Sequence, residues 1–107
     1  MNYNLKEYKK ILEEDIYLLG YQELRYAIFE GEKNNRQEYQ VRVEKNEDKF
    51  EVYMTADRAS VMGKYEFEDI FQAFNQFLNI MQLTVLSNRK RVKDGEPPEY
   101  FCPLWEK

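Results

Sequence analysis

The chain contains no histidine. The side chain most used for proton transfer near neutral pH, and the commonest zinc ligand, is therefore missing, and most hydrolase and metal-site templates fail at once. There is one cysteine, Cys102, so no intrachain disulfide forms and the disulfide framework of a small secreted domain is excluded. Without a histidine to activate it, and set between Phe101 and Pro103, that thiol reads as a packed group and not as a nucleophile. The four glycines, Gly20, Gly31, Gly63 and Gly95, stand too far apart to form a phosphate-cradling loop. With only three prolines beside them, no long linker or disordered tail is expected. Long apolar runs are also lacking: the early ones are Ile16 to Leu19 and Ala27 to Phe29, and Met1 to Lys10 is polar. Neither a signal peptide nor a membrane span is expected, and a reducing compartment, the cytoplasm, is the natural location.

What is present is the composition of a globular protein. The 107 residues are 43% hydrophobic and 34% charged, enough for one core in a single domain over 1–107. Aromatic residues make up 16%, which suits a compact small core and equally a recognition surface. The formal charge of -4 disfavours adhesion to nucleic acid or anionic lipid and favours a basic partner. It is concentrated in the body: up to Val85 there are 11 basic and 16 acidic residues, net -5, against 5 basic and 4 acidic beyond it, net +1.

Periodicity places the elements. Leu5, Tyr8, Leu12, Ile16 and Leu19 recur at helical spacing, with Asn4 as cap, Glu7 three residues on, Tyr3 and Tyr8 placed for a hydrophobic staple, and Gly20 as the left-handed stop. Beyond Gly20 the period becomes two, with Leu24, Tyr26 and Ile28 on one side. The polar stretch Gly31 to Arg36 reads as the turn into a strand in which Tyr39, Val41 and Val43 alternate with Gln40, Arg42 and Glu44. After a turn at Asn46 to Asp48, the strand Lys49 to Thr55 turns Phe50, Val52 and Met54 inward and Glu51, Tyr53 and Thr55 outward. A fourth strand, Met62 to Phe67, puts Tyr65 and Phe67 on the core face, with Lys64 and Glu66 outside. A long helix follows from about Glu68 or Asp69, its stripe being Ile70, Phe71, Phe74, Phe77, Leu78 and Met81.

The expected architecture is α+β: an N-terminal helix, a four-stranded antiparallel meander, a long C-terminal helix, and an apolar tail over 94–107 that packs on the domain or on a partner. Both helices are expected on one face of the sheet. The opposite face would then be exposed and present Gln40, Arg42, Glu44, Glu51, Tyr53, Lys64 and Glu66.

From that face come the candidate partner-binding residues Arg42, Glu44, Glu51, Tyr53 and Glu66, joined by Asp57 and Arg58 in the connection Thr55 to Ser60, where a short helical turn is expected. Glu44 and Glu51, opposite each other across a hairpin, could suggest carboxylate or metal chemistry; a solvated acidic face that a basic partner neutralises is the simpler reading. The run Asn88 to Lys93 resembles a phosphate contact, but basic residues at a helix end are ordinary, and no interleaved aromatics mark a stacking platform. No catalytic residue, cofactor site or metal site is identified, and an enzyme is not expected.

Three stretches read together, Tyr39 to Glu44, Phe50 to Ser60 and Gly63 to Phe74, resemble the small immunity proteins of bacterial polymorphic toxin systems. That resemblance implies a bacterial cytoplasmic protein that binds and neutralises the toxic domain encoded beside it, with no chemistry of its own. It implies a protein partner, a cognate toxin with a basic surface. The alternative is a chaperone or adaptor for a secreted or regulated protein, and pairing of two copies through the tail or a sheet edge stays open.

Overall fold

The computed structural model describes residues 4–106. Helix α1 (Leu5–Leu19) begins where the Asn4 side chain accepts the Glu7 N–H at 3.3 Å and ends at Gly20, whose φ of 77° directs its N–H back to the last carbonyls. Its buried residues are Leu12 and Ile16. The staple expected between Tyr3 and Tyr8 involves Tyr3, which lies outside the described residues. Helix α2 (Ile70–Lys93) is capped by Asp69, whose carboxylate accepts the Phe71 N–H at 2.8 Å, and it stops at Asp94 with Gly95 in the left-handed region. Ile70, Ala73, Phe74, Phe77, Met81 and Val85 form its core stripe, whereas Phe71, expected in that stripe, is exposed and touches Tyr8 and Phe74 edge-on.

Between the helices run β1 (Tyr26–Ile28), β2 (Val41–Asn46), β3 (Lys49–Thr55) and β4 (Val61–Phe67), in the spatial order β1-β2-β3-β4. The two hairpins β2–β3 and β3–β4 are antiparallel, but β1 pairs with β2 in parallel, Tyr26 beside Val41 and Ile28 beside Val43. The sheet is therefore mixed and not the expected all-antiparallel meander. A parallel neighbour needs the chain carried back to the end where it started, and residues 29–40 do this, with Phe29, Gly31, Asn35 and Tyr39 all at positive φ. What reads as a hairpin turn at Gly31 to Arg36 is part of that return.

Alternation along β2 and β3 sends Val41, Val43, Phe50 and Val52 into a core shared with Leu12, Ile16 and the α2 stripe. The segment after α2 joins the same core through Tyr100, Cys102, Leu104 and Trp105. It is tied down by polar contacts: Asn88 Nδ2 donates to Glu99 Oε1 at 2.9 Å, Glu99 N–H to Asn88 Oδ1 at 2.7 Å, and Arg89 Nε to the Leu104 carbonyl at 2.9 Å. The Trp105 indole donates to the Tyr100 carbonyl at 2.6 Å, and the Tyr100 hydroxyl accepts the Arg25 N–H at 3.1 Å. Burial outweighs that donor and pushes the Tyr100 hydroxyl up to about 12.

Candidate partner-binding site

The sheet face away from the core stripe carries a line of carboxylates. Glu44 on β2 is the register partner of Glu51 on β3, and Glu51 is the partner of Glu66 on β4, so one acid from each strand lies in a row. Like charges side by side destabilise a sheet unless each finds a cation. Here each does: Glu44 lies 2.8 Å from Arg42, Glu51 3.8 Å from Lys64, and Glu66 3.5 Å from Lys49. Partial burial works against the Lys64 charge, but the hydrogen bond to Glu32 and the carboxylates of Glu51 and Glu32 prevail and raise its ammonium above the ordinary value.

The row is not uniformly open. Residues 29–40 lie over its β2 end, and Arg42 is 0% exposed. Its guanidinium donates to the carbonyls of Gly31 and Asn34, each at 2.8 Å, to that of Asn35 at 3.3 Å, to Gln40 Oε1 at 2.7 Å and to Glu44 Oε2 at 2.8 Å. Glu44 accepts the Gly31 N–H at 3.0 Å through its other oxygen. Tyr53 is likewise 0% exposed, with the Lys64 ammonium 5.2 Å from its ring centroid and its hydroxyl without a hydrogen-bond partner among the described residues. The expected exposure of Arg42, Glu44, Tyr53 and Gln40 is thus corrected: all four are buried, and the Arg42 and Glu44 charges that sequence alone assigns to a partner bind the return loop and hold it in place. The visible signal was Arg42 two residues from Glu44 on a strand, close enough to pair with it across the pleat.

Glu51 and Glu66 keep access to solvent. With Asn46, Glu47, Asp48 and Lys49 they line an open pocket of about 300 Å³ at the β2–β3 turn, where Glu47, Asp48, Glu51 and Glu66 face a single lysine. Asp57 and Arg58 are exposed on a single 3-10 turn, Asp57–Ala59, at the far end of the β3–β4 pair. From Glu51 to Asp57 the strand rise gives a separation of roughly 20 Å, so the expected residues form two patches and not one. Arg58 and Ala59 both have positive φ, with Glu38 Oε2 accepting the Arg58 N–H at 2.6 Å. That bond, then one shared with Asp57, holds the Glu38 carboxyl below its ordinary range, and the same contact with Glu38 raises Asp57.

Exposed aromatic and aliphatic groups stand elsewhere: Phe101, in the tail expected to pack on the domain or on a partner, points into solvent, and Tyr17 and Leu18 are open on α1. Helical spacing already leaves Tyr17 and Leu18 off the α1 stripe, whose buried members are Leu12 and Ile16. Among the described residues no three of Cys, Asp or Glu are grouped to hold a metal ion, and no helix is long and apolar enough to cross a membrane.

Compared with known proteins, no curated protein and no solved structure matches significantly. Residues 5–106 match the family described as Immunity protein 59, and so take in both helices, the whole sheet and the buried tail. This chain belongs to the Immunity protein 59 family, and with that membership goes a toxin-neutralising role exercised by binding a protein.

Proposed function

We propose that the chain neutralises one cognate toxin by placing the acidic pocket at the β2–β3 turn against a basic surface of the toxic domain, and that it performs no chemistry itself. The observation that carries this reading is the pocket's lining, four carboxylates against one lysine in an open cleft. A basic side chain entering it would find a charge partner on several sides, and the surrounding potential would steer the encounter. Glu51 and Glu66 are the proposed contacts there, and Asp57 and Arg58 a second patch that a partner of ordinary interface size also reaches. The cytoplasm of the producing cell is the proposed location, since that is where such a toxin must be intercepted.

An adaptor would be expected to hold its client with the apolar tail, and the burial of Tyr100, Leu104 and Trp105 in this chain's own core favours the toxin-binding reading over it. Isothermal titration of the purified chain against the toxin domain encoded beside it tests the proposal. Tight binding that Glu47→Lys and Glu51→Lys together weaken by roughly tenfold or more is the expected result. Absence of binding, or no protection of cells that express the toxin, would overturn it.

A further inference from the structure

Strand β4 is an edge. Its residues Val61 to Glu66 are all exposed, including Met62 at 55% and Tyr65 at 52%, and among the described residues no strand lies beyond it. The opposite edge, β1, is three residues long with Ala27 and Ile28 buried. A long open edge is a template for another strand.

Register with β3 fixes which way each β4 side chain faces. Tyr65 lies beside Val52 and Phe67 beside Phe50, both core residues, so these two stand on the helix side. Glu66 lies beside Glu51 on the other side, where the Lys64 ammonium also stands over Tyr53. The register slips between Val52 and Met54, and Gly63, with a φ of 46°, sits in the resulting bulge. A Cβ at Gly63 would meet nothing within 4 Å, and beside it Met54, Met62, Gly63, Tyr65 and Ile80 line a mostly apolar cleft of about 240 Å³.

We propose that a second copy of this chain occupies the edge, β4 pairing antiparallel with β4 about a two-fold axis at Tyr65. Read outward from Tyr65, the strand is complementary to itself. Lys64 of one copy faces Glu66 of the other, twice over, and the Tyr65 rings meet at the axis. Phe67 of one copy comes level with the bulge at Gly63 of the other, where no side chain stands and the apolar cleft opens beside it. Neighbouring symmetric registers fail. An axis at Lys64 sets lysine on lysine and opposes Met62, on the helix side beside Met54, to Glu66 on the other side. An axis at Glu66 sets glutamate on glutamate. The pleat excludes registers centred between residues, because they oppose side chains of different faces.

Sedimentation and light scattering of the full chain, over micromolar to submillimolar concentrations, test the proposal. Twice the mass of one chain is expected. Glu66→Lys turns two attractive pairs repulsive and should raise the dimer dissociation constant roughly tenfold or more, with unchanged circular dichroism. In a Cys102→Ala background, Tyr65→Cys should form a disulfide-linked dimer under mild oxidation, while Leu18→Cys, 83% exposed on α1, should not. Single-chain mass at every concentration overturns the proposal, as does a dimer that neither responds to Glu66→Lys nor crosslinks through position 65. A monomer whose β4 amides become protected only when the toxin domain is added would assign the edge to the toxin and overturn it equally.

Discussion

At Arg42 a full positive charge is buried among fixed acceptors, and the loop that buries it is made of those acceptors. Removing the guanidinium strands the Glu44 carboxylate and the carbonyls of Gly31, Asn34 and Asn35. We expect Arg42→Met to cost about 3–5 kcal/mol in urea unfolding, the usual penalty for breaking a buried ion pair from one side. Hydrogen exchange should quicken first in residues 29–40. The Glu38 and Asp57 carboxyls give a second residue-level test, because their shared contact pushes them apart. Carbon-detected titration should find Asp57 above and Glu38 below their ordinary values, and Glu38→Gln should bring Asp57 down. For stability the signs oppose: the raised Asp57 contributes below its unfolded pKa and loses this as pH rises through the folded value. The lowered Glu38 contributes above its unfolded pKa and loses this as pH falls, so the two act on stability in opposite directions.

Elements whose local signals agree were legible in the sequence, and those fixed by distant chain were not. Asn4, the helical period and Gly20 all mark α1, and Gly20→Ala should lower stability by about 1 kcal/mol through φ alone, since a Cβ there meets no neighbour. Denaturation midpoints would check this. Likewise β3 and the start of α2 followed from alternation and from the helical period of the apolar stripe. Alternation gives the face of a residue but not the direction of its strand, so β1 could not be read as parallel to β2. Nor does it say what covers a face. Arg42, Glu44 and Tyr53 look the same in sequence whether water or other parts of the chain lie over them, and for that reason three of the expected contact residues proved to be buried. Tyr65 erred the other way: it has the facing of a core residue, but β4 lies at the sheet's edge, where the core does not cover it. The last segment is held by aromatic packing, Tyr100 against Trp105 at 5.4 Å, and Trp105→Ala should cost about 3–5 kcal/mol by thermal or chemical unfolding.

At the scale of the whole molecule, the proposed function is carried by charge placed on a rigid frame. The net charge of -4 comes from the folded body, and four of its carboxylates, Glu47, Asp48, Glu51 and Glu66, line the open pocket at the β2–β3 turn. Binding built on such a surface should be fast and sensitive to salt, because the attraction acts before contact and is screened over about 10 Å at 0.1 M. The decisive measurement is the rate and affinity of association between the purified chain and the toxin domain encoded beside it, taken across ionic strength. Tight binding whose association rate falls roughly tenfold or more between 0.02 and 0.5 M salt is the result expected. No association at any salt, or an association rate indifferent to salt and to reversal of Glu47 and Glu51, would contradict it.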